Sequence, residues 1–313
     1  MSIDAEAFVQ DLDERRALAK EKFDEDPLPV GDRDARLRLK EEIARYDLAK
    51  HIVELEVDGY TVVPPGKAAP TSFSERLRDV VLRVADERHA AGVENTVPPS
   101  STGLGYQLFH VLPEDRIFEE AVTNPVVLAL VTYLAGYRAR LTSTVALVKS
   151  NDTAPLSLHA DNTGKLAVPW PEQSTGANVN WILTDYTRDN GCLGVVPGSH
   201  TWCRPPDDVS IDRELVTPVE VPAGSAVVWH SNLWHGAFGR RAEGQRVMFA
   251  TLYNRPFMAH EELFSMTTTR EMIERNAGRF GVLTGVLSAF PFDQRGPNLD
   301  FMVARQHEIG RWT

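Results

Sequence analysis

Cysteine is nearly absent from this sequence, with Cys192 and Cys203 the two in 313 residues. Two thiols without zinc-site spacing supply no disulfide framework, so the expected setting is a reducing compartment, with both cysteines inert in the packing. Positive charge is in deficit as well. The 33 Lys and Arg against 44 Asp and Glu leave a net charge of -11, which repels nucleic acid and anionic membrane overall. No apolar run is long enough to span a bilayer, and the start Met1-Ser2-Ile3-Asp4-Ala5-Glu6 lacks the basic and apolar regions of a secretion signal. The expected protein is cytoplasmic and acts on a small molecule, with neither nucleic acid nor membrane as partner. Repeats and low-complexity segments are missing too, and the oligomeric state leaves no mark in the sequence.

What is present fits an ordinary globular chain, 42% hydrophobic and 25% charged, long enough for a large core. Residues 1–55 are rich in charge and helix formers, broken by Pro27, Pro29 and Gly31 into two expected helices. They read as a helical extension packed on the main domain. A first strand is expected over 54–63, and Ser72-Phe73-Ser74-Glu75 has the form of a capping box opening a helix that runs to Gly92. Leu77, Val80, Val81 and Val84 are its expected buried face. A Pro- and Gly-containing loop follows over 95–105, a lid in some enzymes and a plain connection in most. Asn124-Pro125 starts another helix, and Gly136 ends it. From Leu141 the period changes. Strands are expected over 141–149, 178–186, 216–221, 225–230 and 247–254, and a helix over 260–276. Short strands in succession after a helical region suggest a double-sheet sandwich with helical additions.

The chemistry-bearing residues lie among those strands. His159 and Asp161 are two apart, so on an extended chain both leave by one face and can meet one ion. Alone, that pair is as often a surface feature. Trp234-His235-Gly236 and Arg246 follow downstream, and two imidazoles with one carboxylate are the donor set of non-haem Fe(II) oxygenases. Spacing leaves one choice open, because His230 precedes Arg241 by the same interval that separates His235 from Arg246. Lys149 and Lys165 flank the site in sequence and are expected as solvated charges, and His200 as a loop residue.

In order after His159-x-Asp161 come Asn190-Gly191-Cys192-Leu193, Pro197-Gly198-Ser199-His200, Gly224, Trp229-His230, Leu233, His235-Gly236 and Arg246. This series resembles the phytanoyl-CoA dioxygenase family of Fe(II)/2-oxoglutarate oxygenases, over roughly residues 100–255. The resemblance implies a mainly β protein with helical additions and a double-stranded β-helix core, a cupin-like jelly roll, at about 140–255. That core belongs to a single dioxygenase domain over 56–313 with a C-terminal helical segment. It also implies that His159, Asp161 and His235 hold Fe(II), with His235 preferred to His230 because the family places the ligand just before Gly. Arg246 then receives the distal carboxylate of 2-oxoglutarate, where a planar guanidinium fits better than Lys. Asn180 and Thr144 are candidates to line the co-substrate pocket, and Gln107 and Trp181 to contact substrate; Thr184 shares the strand of Asn180.

The implied reaction uses O2, converts 2-oxoglutarate to succinate and CO2, and hydroxylates an unactivated carbon of a small organic molecule such as a secondary metabolite, lipid or amino-acid-like compound. Desaturation, epoxidation and cyclisation stay open, since they share the same ligands. Halogenation is not expected, because family-like halogenases lack the carboxylate that Asp161 provides. A coenzyme A substrate is not expected either, since no basic cluster for its phosphates is apparent. Two other classes fit the residues alone: a jelly-roll protein that binds a metal or ligand without turnover, and a zinc-dependent hydrolase or isomerase.

Overall fold

The computed structural model describes residues 5–29, 31–95, 103–151, 153–288 and 296. Two antiparallel sheets face each other. The strands of the major sheet are β1 (Tyr60–Val63), β2 (Tyr106–Leu108), β3 (Arg140–Lys149), β5 (Gly176–Ile182), β8 (Ala226–His230) and β10 (Arg246–Asn254), in the spatial order β1-β8-β5-β10-β3-β2. The minor sheet holds β4 (Leu156–His159), β6 (Leu193–Val195), β7 (Thr217–Pro218) and β9 (His235–Ala237), ordered β4-β9-β6-β7. Non-sequential neighbours in both sheets are the mark of the expected jelly roll.

Alternation along each strand divides the major sheet into two faces. Ala146, Val148, Ala177, Val179, Trp181, Val247 and Phe249 pack against helices in the larger core. Their neighbours Leu147, Ile182, Val227, Trp229 and Met248 belong to the core between the sheets. The helices on the outer face are α4 (Thr71–Ala90), α5 (Arg116–Val122) and α6 (Pro125–Ala135). Almost every residue of α6 is buried, which explains its apolar composition on all sides. Its start is fixed by Asn124, whose Oδ1 accepts from the amides of Val126 and Val127, both at 3.1 Å. Among the described residues no single helix is long and apolar enough to cross a membrane.

The N-terminal region forms three helices where two were expected, α1 (Ala5–Glu25), α2 (Asp32–Arg45) and α3 (Ala49–Val57). Phe23, Leu28 and Leu39 pack with Tyr137, Ile273, Val282 and Leu287, so this region meets the C-terminal helices α7 (Phe264–Thr267), α8 (Arg270–Arg275) and α9 (Arg279–Leu283).

Several boundaries differ from the sequence reading. The strand expected over 54–63 is helix as far as Val57, because Leu55 finds a buried helical face, and only Tyr60–Val63 pairs with β8. The capping box at Ser72 does not form; the cap falls two residues earlier, at Pro70, and Ser74 is buried. The strand expected over 178–186 begins at Gly176 and ends at Ile182, leaving Tyr186 an isolated bridge to Val221. The strand expected over 216–221 shrinks to Thr217–Pro218. The helix expected over 260–276 breaks into α7 and α8, with Thr269 capping the second through the amide of Met272. Most of the loop over 95–105, residues 96–102, lies outside the described residues.

Candidate active site

His159 closes β4 and stands directly opposite His235, the first residue of β9. Their ring centroids are 4.3 Å apart. Each Nδ1 lies against a backbone carbonyl two residues back, Ser157 O at 2.8 Å for His159 and Leu233 O at 2.9 Å for His235. A carbonyl only accepts, so both Nδ1 atoms carry a proton, which in the neutral imidazole leaves the lone pair on Nε2. Such second contacts orient imidazole ligands. Gly236 permits this approach of β9 to β4, since a Cβ there would lie 2.6 Å from Leu156 O.

Asp161 lies two residues beyond β4 in a turn, with Oδ1 3.7 Å from His235 Nε2. One ligand atom from each of His159, Asp161 and His235 falls within 4.8 Å of the others, which is close enough to share one metal ion. Burial pushes the Asp161 carboxyl above its ordinary range, while His159, Lys165, Asn178 and Trp229 oppose that shift. Burial first, and then His159, hold His235 well below the ordinary imidazole value. Asp161 Oδ2 is buried with no hydrogen-bond partner. An orphaned carboxylate oxygen beside two Nε2 atoms turned toward it is a donor set that fits a divalent cation.

The same cavity, of about 150 Å³, extends from this cluster to Lys149, Asn180, Tyr186 and Arg246. Arg246 opens β10 and is buried, with one guanidinium nitrogen donating to Gly191 O and its Cζ 4.7 Å from the centre of the Tyr186 ring. Its Nε has no partner. Lys149, the last residue of β3, is its cross-strand neighbour, and Lys149 Nζ is likewise buried without a partner. Burial first, then the charge of Arg246, lower the Lys149 pKa to about 6. Asn180 Oδ1 and Asn178 Oδ1 are also orphaned along this wall. A buried guanidinium and a buried amine with unspent donors make an anion receptor, and the His159, Asp161 and His235 cluster lies in the same chamber.

The expected residues do not all converge. His159, Asp161, His235, Arg246 and Asn180 line one cavity. Thr144 does not, because it occupies the other parity of β3 from Lys149 and its amide donates to Glu262 Oε1 at 2.5 Å. Trp181 is a further correction: it sits on the helix face of β5, with its ring centroid 5.4 Å from that of Phe73. Gln107 pairs with Leu147 on β3, but it is held through its backbone by Asn95 and is not among the cavity-lining residues. Thr184 is spent on β10, accepting from the Val247 amide at 2.9 Å.

His230 is not shaped for a metal. Its Nδ1 accepts from the Asn232 amide at 3.0 Å and its Nε2 meets Glu172 O at 3.2 Å. Lys165, expected as a solvated charge, is paired with Glu261 at 2.7 Å. Lys149 is the residue that the sequence reading missed. The signal was its position opposite Arg246 at the end of a strand whose odd residues face inward.

The comparisons agree with this geometry. Residues 55–248 match the phytanoyl-CoA dioxygenase (PhyH) family. Dioxygenase FUM3 of Gibberella moniliformis is 23% identical over 286 residues, 83% of this chain and 89% of that protein. Dioxygenase af480 of Aspergillus fumigatus is 30% identical over 166 residues, 52% of this chain. The chain spans about half the length of af480, 53%. Among solved structures, EctD from S. alaskensis with bound Fe superposes with a TM-score of 0.56 at 19% identity, over 68% of this chain and 79% of that one. The 2-oxoglutarate-dependent carbocyclase SnoK from nogalamycin biosynthesis gives 0.53 at 21% identity, over 66% and 83%. Fold, facing histidines and family match together place this chain in the phytanoyl-CoA dioxygenase family of iron- and 2-oxoglutarate-dependent oxygenases.

Proposed function

We propose that the chain is an Fe(II)/2-oxoglutarate-dependent dioxygenase that hydroxylates an unactivated carbon of a small organic molecule. The carrying observation is the union, in one cavity, of the His159, Asp161 and His235 cluster with the buried basic groups of Arg246 and Lys149. Iron held by His159, Asp161 and His235 would supply the centre that the keto acid chelates and at which O2 is activated, with succinate and CO2 as co-products.

The protein's part is binding and orientation. Two imidazole lone pairs and the one negative charge of Asp161 would leave a bound divalent ion with net positive charge for an anionic co-substrate. Arg246 receives the distal carboxylate as a fork, Lys149 adds a point charge beside it, and Asn180 offers a side-chain amide. Leu147, Leu193 and Met248 wall this end with apolar surface, which strengthens those contacts by excluding water. At about 150 Å³ the cavity is below the roughly 300–1,000 Å³ of sites that enclose drug-sized ligands. It suits the co-substrate, and the substrate then presents its reacting carbon at the mouth, beside Leu104 and Leu156.

Hydroxylation is the simplest outcome, and the carboxylate of Asp161 argues against halide transfer. Similar folds named as an epimerase and a carbocyclase leave room for other outcomes at the same ligands. The anion receptor also weighs against a metal-binding protein without turnover and against a zinc hydrolase, neither of which needs a second carboxylate site. The test is succinate release from 2-oxoglutarate with Fe(II) in air, together with a visible charge-transfer band when the keto acid is added anaerobically. Absence of both, with and without candidate substrates, removes the proposal.

A further inference from the structure

Asp161 is the one member of the metal-ligating cluster that no strand holds. β4 ends at His159, and its pairing with β9 is already irregular between Leu156 and His159. The turn beyond is closed locally by Thr163 N to Ala160 O at 2.9 Å and Lys165 N to Asn162 O at 3.1 Å. Those bonds shape the turn without fixing it against the rest of the molecule.

The link to the sheets is Asn162, which is buried with all of its side-chain polar atoms engaged. Its Nδ2 donates to Asn232 Oδ1 at 2.6 Å and makes a longer contact to Ser231 Oγ at 3.4 Å. Its Oδ1 accepts from Thr175 Oγ1 at 2.7 Å. Ser231 and Asn232 belong to the turn that leads into His235, and Thr175 immediately precedes β5, which carries Asn178 and Asn180. The partners are themselves tied down. Ser231 Oγ accepts from the Thr175 amide at 3.1 Å, and Asn232 Nδ2 donates to Pro171 O at 2.9 Å. A buried polar network with every member satisfied specifies one arrangement, because any other strands a donor or acceptor away from water.

We propose that Asn162 is a positioning residue: through Asn232, Ser231 and Thr175 it sets Asp161 against His235 before any metal arrives. This rests on the reading that Asp161 and His235 hold the metal. It predicts that the network governs metal affinity more than it governs fold stability.

The test titrates metal-free protein with Co(II) and records the Tm of the same samples. The variants are Asn162→Ala, Thr175→Val, Thr175→Ser, His235→Ala and a remote control, Arg275→Met, which removes an ion pair to buried Glu119. Outer contacts at metal sites are typically worth about 10- to 100-fold in affinity. Asn162→Ala and Thr175→Val are expected to weaken Co(II) binding by about 10-fold or more, and Thr175→Ser, which keeps the hydroxyl, to restore it. Arg275→Met is expected to lower Tm with Co(II) affinity unchanged. The proposal is overturned if Asn162→Ala and Thr175→Val bind Co(II) like wild type while His235→Ala does not, or if Arg275→Met loses affinity in proportion to its Tm. If His235→Ala binds as well as wild type, the metal assignment itself falls and the proposal with it.

Discussion

Lys149 and Arg246 stand directly opposite each other on neighbouring antiparallel strands, both buried on the face turned toward the His159, Asp161 and His235 cluster. Like charges in a cross-strand pair repel. Among the described residues neither hydrogen-bonds to a carboxylate: Arg246 contacts Gly191 O and Met248 Sδ, and Lys149 Nζ has no partner. The pair is balanced only by an incoming anion or by the loss of a proton, and both routes can be measured.

Arg246→Met should raise the apparent KM for 2-oxoglutarate about 100-fold, in line with the ~2–5 kcal/mol lost when one side of a buried charge pair is removed, and Lys149→Met about 10-fold, or ~1.4 kcal/mol. Co(II) affinity should stay within about 2-fold, since neither residue is a ligand. A KM unchanged in both variants would remove the pair from the co-substrate site.

The pH dependence follows from Lys149, whose pKa falls from 10.5 to about 6 in the folded chain. Arg246, Arg240 and Cys192 face it, and burial keeps the Cys192 thiol neutral by pushing it up to about 12. Between these two Lys149 values the folded state binds one proton fewer than the unfolded state. Metal-free stability should therefore rise with pH across that window, by up to ~1.4 kcal/mol per unit. Urea unfolding at two pH values reads the slope, and Lys149→Met should flatten it. At pH 8, binding of 2-oxoglutarate should take up close to one proton, seen as a buffer-dependent heat; equal heats in two buffers would contradict this.

His235→Ala should abolish metal binding, whereas His230→Ala should keep Co(II) affinity within about 3-fold, because both nitrogens of His230 are used within the fold. Its effect should appear in Tm instead. Isothermal titration of the two variants decides, and the reverse pattern would exchange the assignments.

Glu262 is buried and receives the amides of Thr144 at 2.5 Å and His110 at 3.0 Å, continuing the edge of β3 where β2 has ended. Glu262→Gln should lower Tm by several degrees, since a carboxamide puts an NH2 donor where one of the two accepting oxygens stood. Thr144→Val should do so to a smaller extent. Neither should shift the KM for 2-oxoglutarate; a shift of about 5-fold or more would return Thr144 to the co-substrate pocket.

The fold was legible wherever a local pattern had a single physical reading. Asn124-Pro125 and Gly136 bound α6 because a cap, a fixed φ and a left-handed exit each act within one turn. The site was legible where residue chemistry is rare: a carboxylate between two histidines, followed by an arginine opening a strand. What failed were choices of face. Asn180 and Trp181 are adjacent, and only the register of β5 against β10 decides which of them meets the cavity. Thr144 lost to Lys149 for the same reason, since lysine at a strand end usually points to water and only Arg246 alongside shows that this one does not. The helix at Leu55 reads as a strand because Val53-Glu54-Leu55-Glu56-Val57 alternates apolar and polar next to a turn, and so short an alternation satisfies either period until the packing partner is known.

β10 is hydrogen-bonded on both sides along most of its length, to β3 and to β5, and its first residue is Arg246. The grip proposed for the keto acid is thus built into the middle of the major sheet, whereas the half-buried lining residues Leu104 and Leu156 lie next to connecting segments. For an engineer the two tasks are separable: segments around the mouth can be exchanged to seek new substrates while the oxidising half of the reaction is inherited intact.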